Sequence, residues 1–544
     1  MDDIILKHVL KNAVDYSGKA NSKFVIGKIL QEKPEYKKNI KNLICKIEKI
    51  IEDVNNLTLE EQKQKLSSFK FKKIKIKKQE IPNLKNAKKG KVIMRFAPNP
   101  NGALSLGHCR QALWNWFFVK KYKGKFILRF DDTDPKIKVP LKQAYTWIQE
   151  DLKWLGIKID KVIIQSSRLK IYYKYAEQLI KLGKAYICNC NIESWRDLVK
   201  QKKSCPCRNL NNKEQLKRWK LMFTSYKEGE AVLRIKTNLQ DKNPALRDWP
   251  AFRIIDKGKH PLVKSKVWPL LNFASAIDDH ELKITHILRG IDLKISDERQ
   301  KYIYKYFNWK YPETIYTGML SFSGIKSTSE IKKLIEEGKL TGWDDISLGT
   351  IKALRKRGFK SKAISNFIKS LGINKSEIRI DLKNLNAFNK EIIDKEANRY
   401  FIVFNPIKIK IKDAYGLKTK IPLHPDFPKR GFRTFKTKDE FYIQDTIDKN
   451  KVYRFIHLFN FQNNKFLSLD YNPNLHAKLI HWLPVSKDLV KIEVLMIDKS
   501  IKTGLGESSL KNLKINSIIQ SERNFFICLN KKVGNKLEFS YLHE

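Results

Sequence analysis

The chain has 544 residues, enough for about three or four domains with a core each, and its 42% hydrophobic and 11% aromatic content excludes a disordered chain. Lys and Arg (109) nearly double Asp and Glu (57) for a formal net charge of +52, which points to a polyanionic partner through counterion release, although a general lysine richness also contributes. The start MDDIILKHVL has no secretory-signal pattern, no run approaches the ~18 apolar residues that span a bilayer, and seven cysteines suit a reduced, cytoplasmic protein better than a disulfide framework.

Residues 1–70 read as a helical N-terminal module, with Ile40, Leu43, Ile44, Ile47, Ile50, Ile51 and Val54 at the spacing of one helix face. The basic stretch 71–90, with Pro82 and Gly90, reads as a linker. From 91 to 187 the pattern is strand (Val92 to Phe96), loop, helix (about 108 to 122), Gly124 and strand (Lys125 to Phe130), a βαβ unit whose continuous apolar strands predict a sheet buried on both faces. An amphipathic helix at 141–155, a strand at 162–164, a helix ending near Gly183 and a strand at 185–187 follow. These predict an α/β, doubly wound domain.

Segment 188–245 breaks the alternation with clustered cysteines and polar loops and reads as an inserted subdomain. The strand-like KITHILRG and a helix starting near Ser296 resume the first domain over 246–330. Residues 331–394 are helical and basic, and 395–544 carry short strands between Pro, Asn, Asp and Gly, the pattern of one or two β-barrels.

In a doubly wound domain the loop after the first strand lies where ligands bind and feeds a helix whose free N–H groups favour phosphate. Gly102 and Gly107 let the main chain approach a ligand, Pro98 and Pro100 stiffen the loop, and His108 at the helix start offers a donor to a phosphate oxygen; prolines and glycines alone suit a ligand-free turn equally. Arg95 and Asp131, at the ends of the first two strands, read either as a pocket for a charged substrate or as a salt bridge closing those strands. Cys188, Cys190, Cys205 and Cys207 form two C-x-C knuckles. Four thiolates suit tetrahedral Zn²⁺, which would stabilise a subdomain with little core; four unliganded thiols are the alternative. Cys45, Cys109 and Cys528 read as small buried residues, and Trp114, Trp116, Phe117 and Phe118 as helix core. Arg430, Phe432, Arg433 and Phe435 are of the kind that stack on unpaired bases, or else belong to solvated loops.

The string APNPNGALSLGH resembles the signature loop of class I aminoacyl-tRNA synthetases, whose HIGH element here stands as Ser105-Leu106-Gly107-His108. RFAPNPNG, followed by GKFILRFDDTDP, is similar to the glutamyl/glutaminyl branch. With HILRG, TGWDD and PLHPDFPKRGFRTF, nearly the whole chain resembles archaeal-type glutamyl-tRNA synthetases. The resemblance implies a Rossmann-type catalytic domain with an inserted acceptor-end subdomain, a helical tRNA-contact domain and anticodon-binding β-barrels. It implies ATP-dependent activation of L-glutamate to glutamyl-adenylate and transfer to the 3′ end of tRNA(Glu), releasing pyrophosphate and AMP, by a monomer with no membrane association. Mg²⁺ accompanies the ATP, and related enzymes carry zinc in the insertion. Whether tRNA(Gln) is a second substrate stays open.

By the same resemblance Arg95, Ala97, Asn99, Asp131, Ser275 and Arg289 bind the amino acid. Pro98, Gly102, Leu106, Gly107 and His108 hold ATP, and His108, Ser105, Lys326, Ser327 and Ser329 assist the chemistry. The chain departs from the family pattern at three places. Ser105 replaces the first histidine of HIGH, Glu330 stands where relatives of the IKSTS loop carry lysine, and GWDDISLGT lacks the usual proline and arginine. Two other functions are compatible with these residues: glutaminyl-tRNA synthetase, against which the NPNG and DDTD text argues, and a catalytically impaired tRNA-binding paralogue, suggested by Ser105 and Glu330.

Overall fold

A computed structural model describes residues 2–15, 18–69, 80–322 and 327–544. The chain divides at residue 78 into two units. In the first, α1 (Asp2–Asp15), α2 (Ser22–Glu32), α3 (Ile40–Asn55) and α4 (Leu59–Ser67) pack Ile5, Val9, Val25, Ile29, Leu43, Ile47 and Val54 into one core. The apolar spacing from Leu43 to Val54 is thus a helix face, while Ile40 at its start is exposed, and α4 opens on a reciprocal Thr58–Glu61 capping box. Cys45 corrects an expectation: it is exposed, because α3 turns that position away from the core.

The second unit begins with packed chain, and the later part of the basic stretch is not loose. Leu84 is buried and its N–H donates to Tyr122 Oη (2.9 Å), while the Lys85 carbonyl hydrogen-bonds the His286 ring (2.9 Å). Then come β1 (Ile93–Phe96), α5 (Leu106–Lys121), β2 (Lys125–Phe130), α6 (Ala144–Trp154) and β3 (Lys161–Ile164). The strands β1, β2 and β3 run parallel. All of β2 after Lys125 is buried, as its unbroken apolar run requires of a strand covered on both faces. Trp114 and Phe118 lie in this core, with Trp116 and Phe117 partly buried against it.

After β3, α7 (Leu169–Lys181) leads to β4 (Ala185–Cys188), α8 (Ile192–Lys200), α9 (Asn212–Phe223), β5 (Val232–Ile235), β6 (Pro250–Ile254) and β7 (Val267–Pro269). The strands β4 to β7 form one antiparallel sheet in sequence order, over a core containing Trp219, Trp249, Trp268 and Phe252. The antiparallel sheet reaches beyond 188–245 on both sides, because β5 inside that segment pairs with β4 before it and β6 after it, and β7 adds to β6. Next, α10 (Leu271–Glu281), β8 (His286–Gly290), α11 (Lys294–Tyr306) and β9 (Glu313–Thr317) return to the parallel layer. The parallel pair β8–β9 joins β1 through Thr285, whose N–H donates to Ile93 O (3.0 Å) and whose hydroxyl accepts from Ile93 N–H (2.9 Å).

Beyond lie β10 (Leu320–Phe322), α12 (Thr328–Glu336), α13 (Ile351–Arg357), α14 (Ser361–Ser370), β11 (Ile378–Ile380) and α15 (Leu382–Glu396). From β12 (Asn398–Tyr400) and β13 (Ile402–Phe404) onward the described chain is nearly all strand. A seven-stranded sheet runs from β12 to β13, and two separate cores form, one around Phe441, Phe455 and Trp482 and one around Ile492, Ile527 and Phe539. The strand Phe432–Lys436 alternates exposed and buried residues, which corrects the reading of its side chains. Arg433 is buried and paired with Glu507 (2.7 Å) and Glu522 (3.2 Å), and Phe435 is core, whereas Phe432 and Arg430 face outward.

At the turn from α5 into β2, a Cβ on Gly124 would lie 2.2 Å from the Val92 carbonyl oxygen. Gly124→Ala must push these backbones apart, at an expected cost of about 1–3 kcal/mol, measurable as a lowered denaturant midpoint.

Candidate active site

A cavity of about 890 Å³ opens at the carboxyl ends of the parallel strands, where ligands bind in such sheets. Arg95, Ala97, Pro98 and Asn99 line it as the chain leaves β1, and Gly107 and His108 line it at the start of α5. Asp131, Ser275 and Arg289 face it from β2, α10 and β8, and Ser327 and Ser329 from the start of α12. The Asn99 side-chain oxygen is buried in this wall and takes no hydrogen bond from the described residues. Lys326 lies outside the described residues.

The floor of the cavity is an ionic lattice. Arg95 donates to Asp279 through Nε (2.9 Å) and Nη2 (3.3 Å). Arg129, which the sequence reading passed over, clamps Asp131 through Nε (2.7 Å) and Nη2 (3.2 Å) and reaches Asp279 through Nη1 (2.7 Å) and Ser275 Oγ through Nη2 (3.1 Å). Its signal was an arginine inside the apolar strand FILRF, where a buried charge must find a partner. Arg95 and Asp131 are therefore not paired with each other; each has its own intermediary. Arg289 pairs with Asp297, which also accepts from Tyr311 (3.0 Å) and Tyr316. Among these bonds Arg95 Nη1 and Arg289 Nε have no acceptor in the described protein.

Burial raises the pKa of Asp279, but Arg95 and Arg129 outweigh it and hold this carboxyl below the usual range. At Asp131 burial wins over the pull of Arg129 and pushes the pKa up, so a cation arriving at Asp131 would relieve a strain that Asp279 does not feel. The next acid in the DDTD run turns inward, since Asp132 accepts from Tyr145 Oη (2.6 Å), Ser166 N–H (2.8 Å) and Ser166 Oγ (2.7 Å). Asp278 likewise holds Arg168 (2.8 Å) and Tyr172 (2.7 Å), and His280 stacks on Trp309, so this Asp-Asp-His run braces the site.

On the opposite wall Ser105 is the N-cap of α5 and touches His108, its N–H donating to His108 Nδ1 (3.1 Å) with Ser105 Oγ 3.0 Å from the same atom. A backbone N–H only donates, so Nδ1 accepts and the ring proton sits on Nε2. His108 meets solvent through the cavity, yet desolvation by the surrounding protein lowers its pKa, which favours the neutral ring. Leu106 is fully buried in the core behind this turn. Gly102 is packed against protein, for a Cβ there would lie 2.3 Å from the Trp343 ring and 2.6 Å from Thr328 Cγ2.

Ser327 caps α12, its side chain accepting from Glu330 N–H (3.2 Å). Glu330 thereby occupies the third position of an S-x-x-E helix start, where an anion favours the helix end. Asp345 accepts from Thr341 N–H (3.2 Å) and Ser347 Oγ (2.6 Å), so Ser347 completes the turn after GWDD in its altered form.

In the insertion the sulfur atoms of Cys188, Cys190, Cys205 and Cys207 all lie within 4.8 Å of one another, with Cys188–Cys205 at 3.9 Å and Cys190–Cys207 at 3.6 Å. A tetrahedron with Zn–S bonds of about 2.3 Å has edges of about 3.8 Å, so the donor set fits a zinc ion. Hydrogen bonding from Cys188 and from the Tyr186 hydroxyl lowers the Cys205 pKa, which favours thiolate in this cluster.

Residues 91–395 match the family model described as the catalytic domain of class I tRNA synthetases (E and Q), and residues 397–478 match the anti-codon binding domain of the same class. The chain belongs to this family. It is 46% identical over 571 residues to the glutamate–tRNA ligase of Pyrococcus furiosus, with all of both chains covered. It is 44% identical over 561 residues to that of Methanocaldococcus jannaschii, again with both chains fully covered. In this class I synthetase the cavity lies within the matched catalytic domain, and the strand-rich region from β12 onward contains the matched anticodon-binding domain. No helix of the described chain is long and apolar enough to cross a membrane.

Removing Asp279 leaves two buried guanidinium groups short of a carboxylate, so Asp279→Asn is expected to destabilise the synthetase by about 3–5 kcal/mol. Because the folded pKa is depressed, this stabilisation is complete above the ordinary carboxylate pKa and disappears as pH falls through the lower folded value. Denaturant titrations of both proteins should therefore differ fully at neutral pH and converge only in strong acid.

Proposed function

We propose that the chain is an ATP-dependent glutamate–tRNA ligase that forms glutamyl-adenylate and esterifies the 3′ end of tRNA(Glu). The observation that carries this reading is one cavity lined by donors and acceptors matching both substrates. The unpaired donors of Arg95 and Arg289 suit the carboxylates of glutamate, since guanidinium meets carboxylate in bidentate geometry. Asp131, pushed up by burial, gains from a substrate ammonium beside it. His108 presents a neutral Nε2–H to the α-phosphate side, where it can donate a hydrogen bond to a phosphate oxygen. The capped start of α12, with Ser327 and Ser329, faces the same cavity and offers backbone and hydroxyl donors to the leaving pyrophosphate. Charges here are fixed before the substrates arrive, so catalysis rests on positioning and electrostatics. Mg²⁺ supplies charge neutralisation to the ATP phosphates when bound.

The finer architecture belongs to the same proposal. The parallel sheet with its crossover helices acts as a Rossmann-type catalytic domain, the insertion receives the tRNA acceptor end, the helices of 331–394 contact the tRNA, and the two β cores carry the anticodon-binding barrels. Cys188, Cys190, Cys205 and Cys207 hold a structural Zn²⁺ in the insertion, supported by the sulfur spacing. The protein acts as a cytoplasmic monomer.

Charging assays with purified protein, ATP and tRNA, run in parallel with glutamate and glutamine, test the reading: glutamate is expected to be esterified, and esterification of glutamine alone would refute it. In the same assay His108→Ala should lower kcat by about 10²–10³-fold and leave the glutamate KM unchanged. For the metal, elemental analysis of protein purified without added zinc should give one zinc per chain, and Cys188→Ser with Cys205→Ser should abolish it and lower the melting temperature.

A further inference from the structure

Two residues beyond His108, Arg110 projects from α5 and is only 2% exposed. Its Nη1 donates to Gly318 O (2.8 Å), and its Nη2 donates to Gly372 O (3.1 Å) and Asn374 Oδ1 (3.5 Å). Beside it, Gln111 Nε2 donates to Thr317 Oγ1 (3.0 Å). Gly318 is the corner between β9 and β10, and its own N–H donates to Asn374 O (2.7 Å). A Cβ on Gly318 would lie 1.9 Å from Ser376 O, so the corner is closed against that segment. From there β10 pairs in parallel with β11, and a few residues further along the sequence Ser327 and Ser329 line the same cavity as His108.

One guanidinium thus ties the helix that carries His108 to the strand that feeds the second signature loop. Its acceptors are a further distinction. They are carbonyl oxygens, and among the described residues no carboxylate pairs with Arg110, although the residue borders the cavity. Carbonyl dipoles satisfy the donors and leave the full positive charge in place, whereas a salt bridge would cancel it. The other arginines that line the floor, Arg95, Arg129 and Arg289, are each neutralised by an aspartate.

We propose that Arg110 is a positioning residue for the ATP-dependent step: it sets the span between His108 and the Ser327–Ser329 segment, and its uncancelled charge strengthens the hold on the triphosphate between them. This role rests on the ligase reading above. It predicts a selective defect, because the floor that receives glutamate hangs on Asp279 and Asp297 and not on Arg110.

The test uses the full-length protein with ATP, glutamate and tRNA(Glu). In Arg110→Lys the ammonium keeps the charge but lacks the planar fork that spans two segments. The expected result is a fall in kcat of about 10²-fold, the size of effect a small misplacement of reacting groups produces, with glutamate KM and tRNA Kd within about twofold of wild type. In Arg110→Ala the ATP KM should rise as well, and millimolar guanidinium should restore part of kcat. Wild-type kcat and ATP KM in the lysine variant would overturn the proposal, as would an equal loss of affinity for ATP, glutamate and tRNA. Failure of both variants to fold would assign Arg110 to stability alone and overturn it too. An inactive wild-type protein would instead refute the ligase reading itself.

Discussion

Asp279 accepts hydrogen bonds from two guanidinium groups on adjacent parallel strands, Arg95 of β1 and Arg129 of β2, in a place almost sealed from water. Charges so buried persist only when each is paired and hydrogen-bonded, so the strand ends and α10 are held in one mutual arrangement. Asp278, the preceding residue, points about 100° around the helix and takes Arg168 and Tyr172 of the α7 region. Two consecutive acids thereby fasten the parallel sheet on one side and the neighbouring helix on the other. The substrate cavity is the space this arrangement leaves open above it, with Asp131 held at its edge by the second half of the Arg129 fork.

The wall opposite is built from uncharged donors and helix ends, with the Arg110 guanidinium beside them. Ser105 caps α5 and fixes the His108 tautomer, Ser327 caps α12, and Trp343 fills the space a side chain at position 102 would need. The contrast between a charged floor and a wall of N–H and O–H donors matches the contrast between a zwitterionic amino acid and a polyphosphate. It also explains how the departures from the family pattern are absorbed. Serine at 105 still reaches His108, glutamate at 330 sits in the first turn of a helix that favours an anion, and Ser347 closes the turn after Asp345.

Much of this was legible in the residues. The βαβ unit over 91–130 is readable because strand and helix periods are local properties, and the apolar strand, the glycine crossover and the amphipathic helix agree with one another. Arg95, Asp131, His108 and Arg289 all reach one cavity, as expected of polar residues at the ends of parallel strands. The four cysteines converge despite a spacing that only weakly predicts it. Where the reading was wrong, the missing information was orientation. Cys45 lies on the outer side of its helix, and Arg433 and Phe435 on the inner side of a strand whose period-two alternation exposes Phe432. The pairing of β5 with β4 and β6 was not legible either, since antiparallel partners distant in sequence leave no local mark.

The sequence by itself determined which residue types are present and in what local register: a Pro- and Gly-rich turn before a helix, arginines and acids at strand ends, paired cysteine knuckles, and a strongly basic chain. Only the tertiary structure decided the pairings. It put Asp279 and not Asp131 opposite Arg95, gave Arg129 the central place, turned Gly102 toward Trp343, and joined Arg110 to Gly318 and Gly372 across more than two hundred residues of chain. The physical reason is that a buried charge must be matched by whichever group the fold brings within about 3 Å, and that group is chosen by packing, not by distance along the chain.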